Sequence, residues 1–389
     1  MSRRSTQLFK AALSALHYSG ADNLIAPFTA GNGVIFMLHQ VTPEAPAAFE
    51  PNRILKVTPE FLESVIQQVR ANGFDIIGMD DVAERLKTGD PAPPFAVFTL
   101  DDGYRNNRDY AYPVFKRHNV PFTIYVASDF ADGRGDLWWL TLQEALARLP
   151  AIALDMDGAG RSFELATPEQ KDEAFHVIYW WLRSLDESLA RAITHRFARD
   201  AGVDPNAFCR DLVMTWDEIR ALAADPLVTI GAHTCTHYVL AKLPDAQAFS
   251  EMAESARRIV AELDRPCRHF SYPYGCKKSA GEREFAFARQ LGFETAVTTR
   301  KGLLHASHAG DLCALPRLSL NGDFQDTRYI KVLLSGAPFA FWNAVQRFGG
   351  ERAAAPANCR LLANYDASGF CIHLTKTPAG STQSSPATM

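Results

Sequence analysis

Two adjacent carboxylates follow a run of strand-like sequence in residues 95–103, which read Phe-Ala-Val-Phe-Thr-Leu-Asp-Asp-Gly. Neighbouring carboxylates repel each other, and burying either one without a partner is costly. Gly103 allows the backbone to turn sharply where a side chain would obstruct it. A buried strand that ends in this way needs compensating groups, and we expect a metal ion and a substrate to compensate Asp101 and Asp102.

Strand-like and helix-like segments alternate along the chain. Strands are predicted at 34–38, 74–77, 95–100, 122–126, 227–230, 268–271, 293–297 and 315–320. Helices are predicted at 58–73, 81–86, 108–118, from 215, and at 246–263, 282–291 and 326–334. This alternation favours parallel strands with helices outside them, in a barrel or a doubly wound sheet.

Polar residues at the ends of five predicted strands favour the barrel. They are His39, the Asp101-Asp102 pair, His233, residues 271–274 and Arg317. The strand ends of a parallel barrel converge on one face, and active sites lie there. We therefore expect these five groups to meet at the barrel mouth.

Three parts of the chain fall outside the alternation. Residues 1–30 are predicted to form an N-terminal helical extension, and residues 31–335 the barrel, with a helical insertion at about 132–211. Residues 336–389 are a predicted C-terminal extension, which is rich in Ala, Pro, Ser and Thr and predicted to be disordered after about 350. The insertion carries Trp138, Trp139, Trp180 and Trp181, which either pack against the barrel or form a wall on which sugars stack.

Composition narrows the function classes. A formal net charge of −4 gives no electrostatic basis for nucleic-acid binding. The 7 cysteines show no C-x-x-C spacing, which favours a reducing compartment. No apolar run reaches the length of about 18 residues that predicts a transmembrane helix. We expect a cytoplasmic protein.

An amphipathic helix is predicted near the N-terminus. Its apolar residues are Leu8, Phe9, Leu13 and Leu16, and Lys10 interrupts any signal-peptide core. This segment packs on the body of the protein, makes peripheral contact with a membrane, or is a cleaved export signal, and we favour packing.

His233 and His237 stand four residues apart, after a predicted strand and a glycine. That spacing predicts two imidazoles on the same side of a helical turn, where they can share one metal ion. Two imidazoles and one carboxylate suit zinc or a related divalent ion and leave positions open for substrate. Cys235 lies between the histidines and is predicted to point away from the shared side.

These residues resemble three motifs of the polysaccharide deacetylase family, carbohydrate esterases that include the chitooligosaccharide deacetylases of nodulation. The family motif Thr-Phe-Asp-Asp-Gly is similar to residues 99–103, with Leu100 in place of phenylalanine. The motif His-Ser/Thr-x-x-His matches residues 233–237, and the third matches residues 270–275, Phe-Ser-Tyr-Pro-Tyr-Gly. The resemblance covers about residues 33–320 and implies a distorted (β/α)₇ barrel.

The resemblance also implies roles for individual residues. Asp102, His233 and His237 would bind a divalent metal, with zinc as the first choice, and Asp101 would be the general base. A water activated by the metal would attack an acetamide carbonyl, and the backbone N–H of Tyr274, which follows Pro273, would stabilise the oxyanion. The implied reaction removes N-acetyl groups from an amino sugar in an oligo- or polysaccharide. The implied partner is an N-acetylated glycan or glycolipid intermediate.

The chain departs from the family pattern at two positions. Many members have an arginine in the third motif that orients the catalytic aspartate, and Ser271 stands there in this chain. Many also have a Leu-x-His whose histidine is the general acid, where this chain has Leu315-Pro316-Arg317-Leu318. We expect Arg317 to orient Asp101 and His39 to be the acid. His305 and His308 are alternatives for the acid.

Other activities remain open at this point. One is hydrolysis of another C–N amide, in a formyl sugar-lipid or a small cyclic amide, and another is carbohydrate binding without catalysis. Glycoside hydrolysis is disfavoured, because adjacent aspartates cannot flank a glycosidic bond. Phosphoryl transfer from an aspartate would leave His233 and His237 unexplained.

Overall fold

Seven parallel strands close into a barrel in the computed structural model, which describes residues 3–87 and 92–341. In chain order the strands are β1 (Gly33–Leu38), β2 (Gln40–Val41), β3 (Lys56–Val57), β4 (Asp75–Ile76), β5 (Phe95–Leu100), β6 (Phe122–Val126), β7 (Ala151–Met156), β8 (Ala159–Glu164), β9 (Val228–Ala232), β10 (His269–Ser271), β11 (Thr295–Lys301) and β12 (Leu315–Ser319).

Helices surround the barrel and extend from both of its chain ends. They are α1 (Arg3–Ser19), α2 (Ala21–Thr29), α3 (Pro59–Ala71), α4 (Val82–Lys87), α5 (Tyr112–Arg117), α6 (Ser128–Ala131), α7 (Trp138–Arg148), α8 (Pro168–Ser184), α9 (Glu187–Asp200), α10 (Ala207–Leu212), α11 (Trp216–Ala223), α12 (Asp245–Leu263), α13 (Glu282–Gln290) and α14 (Thr327–Leu334).

The barrel closes through the pairing of β1 with β5. The strands follow the order β1-β12-β11-β10-β9-β6-β5, and β5 pairs back onto β1 from Gly33↔Phe95 to Leu38↔Leu100. Strand β4 pairs with the start of β5. Because all seven strands are parallel, their carboxyl ends gather at one mouth, as a (β/α)₇ barrel requires. Strands such as β1 and β5 are buried along their whole length, which explains their continuous apolar sequence.

Local capping signals fixed several helix ends correctly. The Thr58 side chain accepts a hydrogen bond from the Phe61 N–H at the start of α3. The predicted capping box of Thr215 and Glu218 is present at the start of α11. Both predictions are confirmed. Caps can be predicted from sequence because they need only residues within one turn.

The insertion between α6 and α11 is not wholly helical. It contains α7–α10 and also the antiparallel hairpin β7–β8, which the sequence analysis does not predict. Burial alternates along β7, and the turn at Asp157 and Gly158 has positive φ angles of 57° and 82°. Alternating hydrophobicity before Asp-Gly is the usual signal of a two-residue hairpin, so the sequence did contain it.

The N-terminal helix α1 packs on the barrel and on α14. Leu13 is 1% exposed, and the Phe9 and Phe324 rings meet edge to face with 5.5 Å between centroids. The face considered for membrane contact is thus largely used for packing, although Leu8 is exposed. Within residues 3–87 and 92–341, no helix is long and apolar enough to cross a membrane. The region predicted to be disordered lies outside these residues, and the domain boundaries remain a prediction.

The packing of α1 predicts unequal effects of two leucine substitutions. Leu13→Ala should lower the free energy of unfolding by about 2–5 kcal/mol, because it leaves a cavity in the core. Leu8→Ala, on the exposed side of the same helix, should change it by less than about 0.5 kcal/mol. Urea denaturation measures both, and equal effects would contradict the packing of α1.

Candidate active site

The barrel mouth brings together the polar residues predicted at the strand ends. The Asp101 N–H donates a hydrogen bond of 3.0 Å to the Leu38 carbonyl, which places Asp101 level with His39. Likewise, the His233 N–H donates to the Val126 carbonyl at 3.0 Å. The predicted convergence is confirmed, and it follows from the parallel order of the strands.

Asp102, His233 and His237 form a cluster in the buried part of the mouth. The Asp102 Oδ1 atom lies 3.5 Å from His233 Nε2 and 3.3 Å from His237 Nε2. Ligand atoms of the three residues all lie within 4.8 Å of one another. All three side chains point toward one shared position, as a mononuclear metal site requires.

The two histidines lie on a loop and not on the predicted helical turn. Residues 233–239 follow β9 without helical structure, and Thr234 and His237 have positive φ angles of 63° and 60°. This backbone brings the imidazoles together in a way that i, i+4 helical spacing does not describe. Cys235 points away, as predicted, and its thiol contacts the Glu251 carbonyl.

The chemistry of this donor set fits a divalent cation. Among the described residues, Asp102 Oδ1 is a buried carboxylate oxygen without a hydrogen-bond donor. The His233 Nδ1 atom lies 2.6 Å from the Ser271 carbonyl, which can only accept, so Nδ1 carries the proton in the neutral ring. Its Nε2 lone pair therefore faces Asp102 and is available as a ligand.

Arg317 holds Asp101 in the centre of the barrel. Its Nη1 and Nη2 atoms donate to the two carboxylate oxygens of Asp101 at 2.8 and 2.7 Å. The guanidinium also donates to the Thr99 hydroxyl, the Ser271 hydroxyl and the Thr298 carbonyl. Ser271 occupies the sequence position at which many family members have an arginine. In this chain its hydroxyl accepts a hydrogen bond from Arg317, which lies on β12.

The ion pair with Arg317 determines the charge of Asp101. Burial alone would raise the pKa of this carboxyl, but the charge and hydrogen bonds of Arg317 outweigh burial and lower the pKa to about 2. Asp101 is therefore ionised at neutral pH, as a proton acceptor must be. Its neighbour Asp102 turns toward the histidines through a left-handed backbone with φ of 74°.

Tyr274 presents a backbone donor at the same mouth. It follows the buried Pro273 and has a positive φ of 59°. Its carbonyl accepts from the Thr299 hydroxyl at 2.5 Å and its hydroxyl from Trp138 Nε1 at 2.8 Å. In the part of the chain that the structure describes, the Tyr274 N–H has no acceptor.

The structure separates the three histidines considered as the acid. His39 lies at the mouth, close enough for the charges of Asp102 and Asp101 to raise its pKa, although burial outweighs them and lowers it. By contrast, His305 follows Leu304, which bridges to Gly33 at the opposite end of β1. At about 3.3 Å per strand residue, this end is about 20 Å from the mouth. His305 and His308 therefore cannot be the acid.

Aromatic side chains from α6 and from the insertion pack around the His237 ring, a feature that the sequence left open. The rings of Trp139 and Phe130 lie 5.2 and 5.6 Å from the His237 ring between centroids. Trp138 and Trp139 are 1% and 5% exposed. Of the two predicted roles, packing against the barrel and forming a wall for sugars, these two tryptophans therefore have the first. Trp180 and Trp181 are half-buried.

Glu251 on α12 fixes the histidine loop, a role that the sequence does not indicate. Its carboxylate accepts hydrogen bonds from the Cys235 and Thr236 N–H groups and from the Thr236 hydroxyl, at 2.9–3.0 Å. Burial raises the pKa of this carboxyl. The contact joins residues about 15 positions apart along the chain, and no local pattern announces it.

The Arg317–Asp101 pair generates a stability prediction. Arg317→Met should lower the free energy of unfolding by about 3–5 kcal/mol, because it leaves a buried carboxylate without its partner. The double variant with Asp101→Asn should recover part of that loss, since both charges are then gone. Urea denaturation of the single and double variants measures the coupling, and strictly additive losses would contradict the pair.

Comparisons with known proteins identify the family of the chain. A family model described as polysaccharide deacetylase matches residues 88–296, more than half of the chain. A search of curated protein sequences found no match to this chain.

Solved structures are similar at low sequence identity. The deacetylase PplD of Streptococcus pyogenes, in complex with acetate, shares 15% identity at a TM-score of 0.51, over 77% of this chain and 97% of that chain. A polysaccharide deacetylase from Bacillus cereus shares 13% identity at a TM-score of 0.49, over 77% and 68% of the two chains. IcaB from Ammonifex degensii shares 16% identity at a TM-score of 0.47, over 79% of this chain and 97% of that chain. PplD supports the barrel fold, and the family model and its motifs lead to one conclusion: the chain belongs to the polysaccharide deacetylase family.

Proposed function

We propose that this protein hydrolyses the N-acetyl group of an amino sugar in an oligo- or polysaccharide, with a divalent metal, zinc as first choice, held by Asp102, His233 and His237. One observation carries the proposal. A buried carboxylate oxygen lies 3.3 and 3.5 Å from two imidazole nitrogens, beside a second carboxylate held by an arginine. The family supplies the reaction class, which is hydrolysis of an acetyl amide.

Each side chain around the site has a separate role in the proposed hydrolysis. Asp102, His233 and His237 would hold the divalent ion, which would supply a lowered water pKa, toward about 7, and polarisation of an amide carbonyl. Asp101 accepts the proton of the attacking water, and Arg317 keeps the carboxylate ionised and correctly oriented. The Tyr274 N–H donates to the oxygen that becomes negative as the amide is attacked.

His39 is the proposed donor of the proton that the leaving amine needs. It lies at the mouth, whereas His305 lies at the far end of the barrel. Burial lowers the pKa of His39, so its ring is neutral at pH 7 before reaction, and the proton that it donates to the amine is the one that Asp101 removes from the attacking water. The nearby Asp101 and Asp102 favour its protonated form.

The metal proposal predicts a separation between metal binding and turnover. His233→Ala should lose bound metal and acetate release, because one ligand of three is gone. Asp101→Asn should keep the metal and lose acetate release, because the proton acceptor is absent. Metal content by mass spectrometry and acetate released from N-acetylglucosamine oligomers measure both quantities.

A matched control is His308→Ala, which removes a histidine at the opposite end of the barrel. It should keep both metal content and acetate release. Metal content unchanged in His233→Ala would contradict the ligand assignment. Bound metal without acetate release in the wild-type protein would instead indicate a carbohydrate-binding relative.

The acid assignment predicts a rate effect without a metal effect. His39→Gln should lower kcat by about 10²–10⁴-fold, the usual contribution of a general acid. Its metal content should equal that of the wild type, since His39 is outside the three-residue cluster. Steady-state kinetics measure the loss, and a wild-type kcat in this variant would remove His39 from the mechanism.

A further inference from the structure

An arginine from the insertion lies directly on the tyrosine at the barrel mouth. The Arg183 guanidinium on α8 is 3.5 Å from the centroid of the Tyr274 ring. Its Nη2 atom donates a 3.4 Å hydrogen bond to the Ser279 hydroxyl. Arg183 and Tyr274 are each partly exposed, so the stacked pair reaches the surface beside the proposed acetamide site.

Arg183 has no ion-pair partner among the residues that the structure describes, and its Nε is buried without an acceptor. Glu187 is the carboxylate whose charge acts on Arg183. It already lies 3.2 Å from both the Arg191 guanidinium and the Lys242 ammonium. Arg191 is also paired with Asp136 at 3.8 Å, so two carboxylates face three cations and one positive charge remains in excess.

Two further cations lie on the turn that leads from Tyr274 to Ser279, the residue to which Arg183 donates. Lys277 and Lys278 are exposed on the turn that follows the third motif, between Tyr274 and Ser279. As with Arg183, neither has an ion-pair partner in the described part of the chain. Arg183, Lys277 and Lys278 form a group that we name the mouth cations. They stand out in a chain with a formal net charge of −4.

Arg183 is close to the reacting centre, and the two lysines are three and four residues beyond Tyr274 in the chain. Tyr274, on which Arg183 stacks, is followed at once by the loop that carries both lysines. The charge of Arg183 also reaches the ring of His237, the proposed metal ligand. A sugar whose acetamide lies at Tyr274 would therefore place its neighbouring substituents or residues against these cations.

We propose that the mouth cations determine specificity by binding an anionic group, a carboxylate or a phosphate, on the N-acetylated glycan. The inference rests on the proposed function and deepens it from an acetylated glycan to an acidic one. A guanidinium fixed on an aromatic ring presents a preorganised fork to two oxygens of such a group. Unpaired cations near a binding site also raise the local concentration of an anionic substrate.

Three substrates test the proposal on the full chain. They are the neutral tetramer of N-acetylglucosamine, a tetramer of alternating glucuronic acid and N-acetylglucosamine, and the neutral tetramer carrying one phosphate. The readout is the ratio of kcat/KM between each anionic substrate and the neutral one. This ratio cancels any general effect of a substitution on Tyr274 or on stability.

In the wild type the ratio should exceed one for at least one anionic substrate. The substrate with the higher ratio shows whether the mouth cations bind a carboxylate or a phosphate. Arg183→Gln should lower the ratio about tenfold or more, because a charge-assisted bond is lost. Lys277→Gln with Lys278→Gln, which does not touch Tyr274, should lower it in the same direction. Arg148→Gln is the matched control, since Arg148 is exposed on the same insertion and paired with Glu144.

A ratio that is unchanged in both the arginine and the lysine variants would overturn the proposal, and so would a wild-type ratio of one or less. The dissociation constants of the same substrates, measured by calorimetry on the Asp101→Asn protein, decide the anion site without turnover. Acetate release from none of the three substrates would contradict the proposed function. An anion preference in binding would still support the mouth cations in that case.

Discussion

The buried ion pair of Arg317 and Asp101 is the interaction on which the arrangement of the site depends. Arg317 is 0% exposed and donates hydrogen bonds to side chains or carbonyls near β5, β10 and β11 while it lies on β12. A single charge in this apolar interior would be strongly unfavourable. The pair therefore links the position of Asp101 to the packing of several strands around the barrel, and the Asp101 carboxylate moves only if the barrel does.

The same pair resolves the repulsion between adjacent carboxylates. Asp101 faces the guanidinium, whereas Asp102 turns to His233 and His237 through a left-handed backbone. Of the seven positive-φ residues other than glycine in the described chain, Asp102, Thr234, His237 and Tyr274 lie at this mouth. Such backbone conformations persist where surrounding contacts fix them, and they concentrate at functional sites. The two charges thereby acquire different environments and different roles.

Much of the barrel and of the cluster of Asp102, His233 and His237 could be predicted, because the signals are local. Apolar strands, caps such as Thr58 and the Asp-Asp-Gly turn each need only a few neighbouring residues. The orienting arginine was also predictable, since Arg317 lies on a strand that must pass the same mouth. The loop geometry of His237 was not, because it depends on Glu251, and neither was the remote position of His305, which depends on Leu304 returning to β1. Contacts between distant segments leave no periodic pattern in a sequence.

Anomalous X-ray scattering from crystals grown with zinc tests the central claim most directly. We expect one ion at the barrel mouth, with an Asp102 oxygen and the Nε2 atoms of His233 and His237 at about 2.0–2.2 Å. The Arg317–Asp101 pair should be intact beside it, so that Asp101 is not a ligand. An ion bound elsewhere, or one coordinated by Asp101 with Arg317 displaced, would contradict the account.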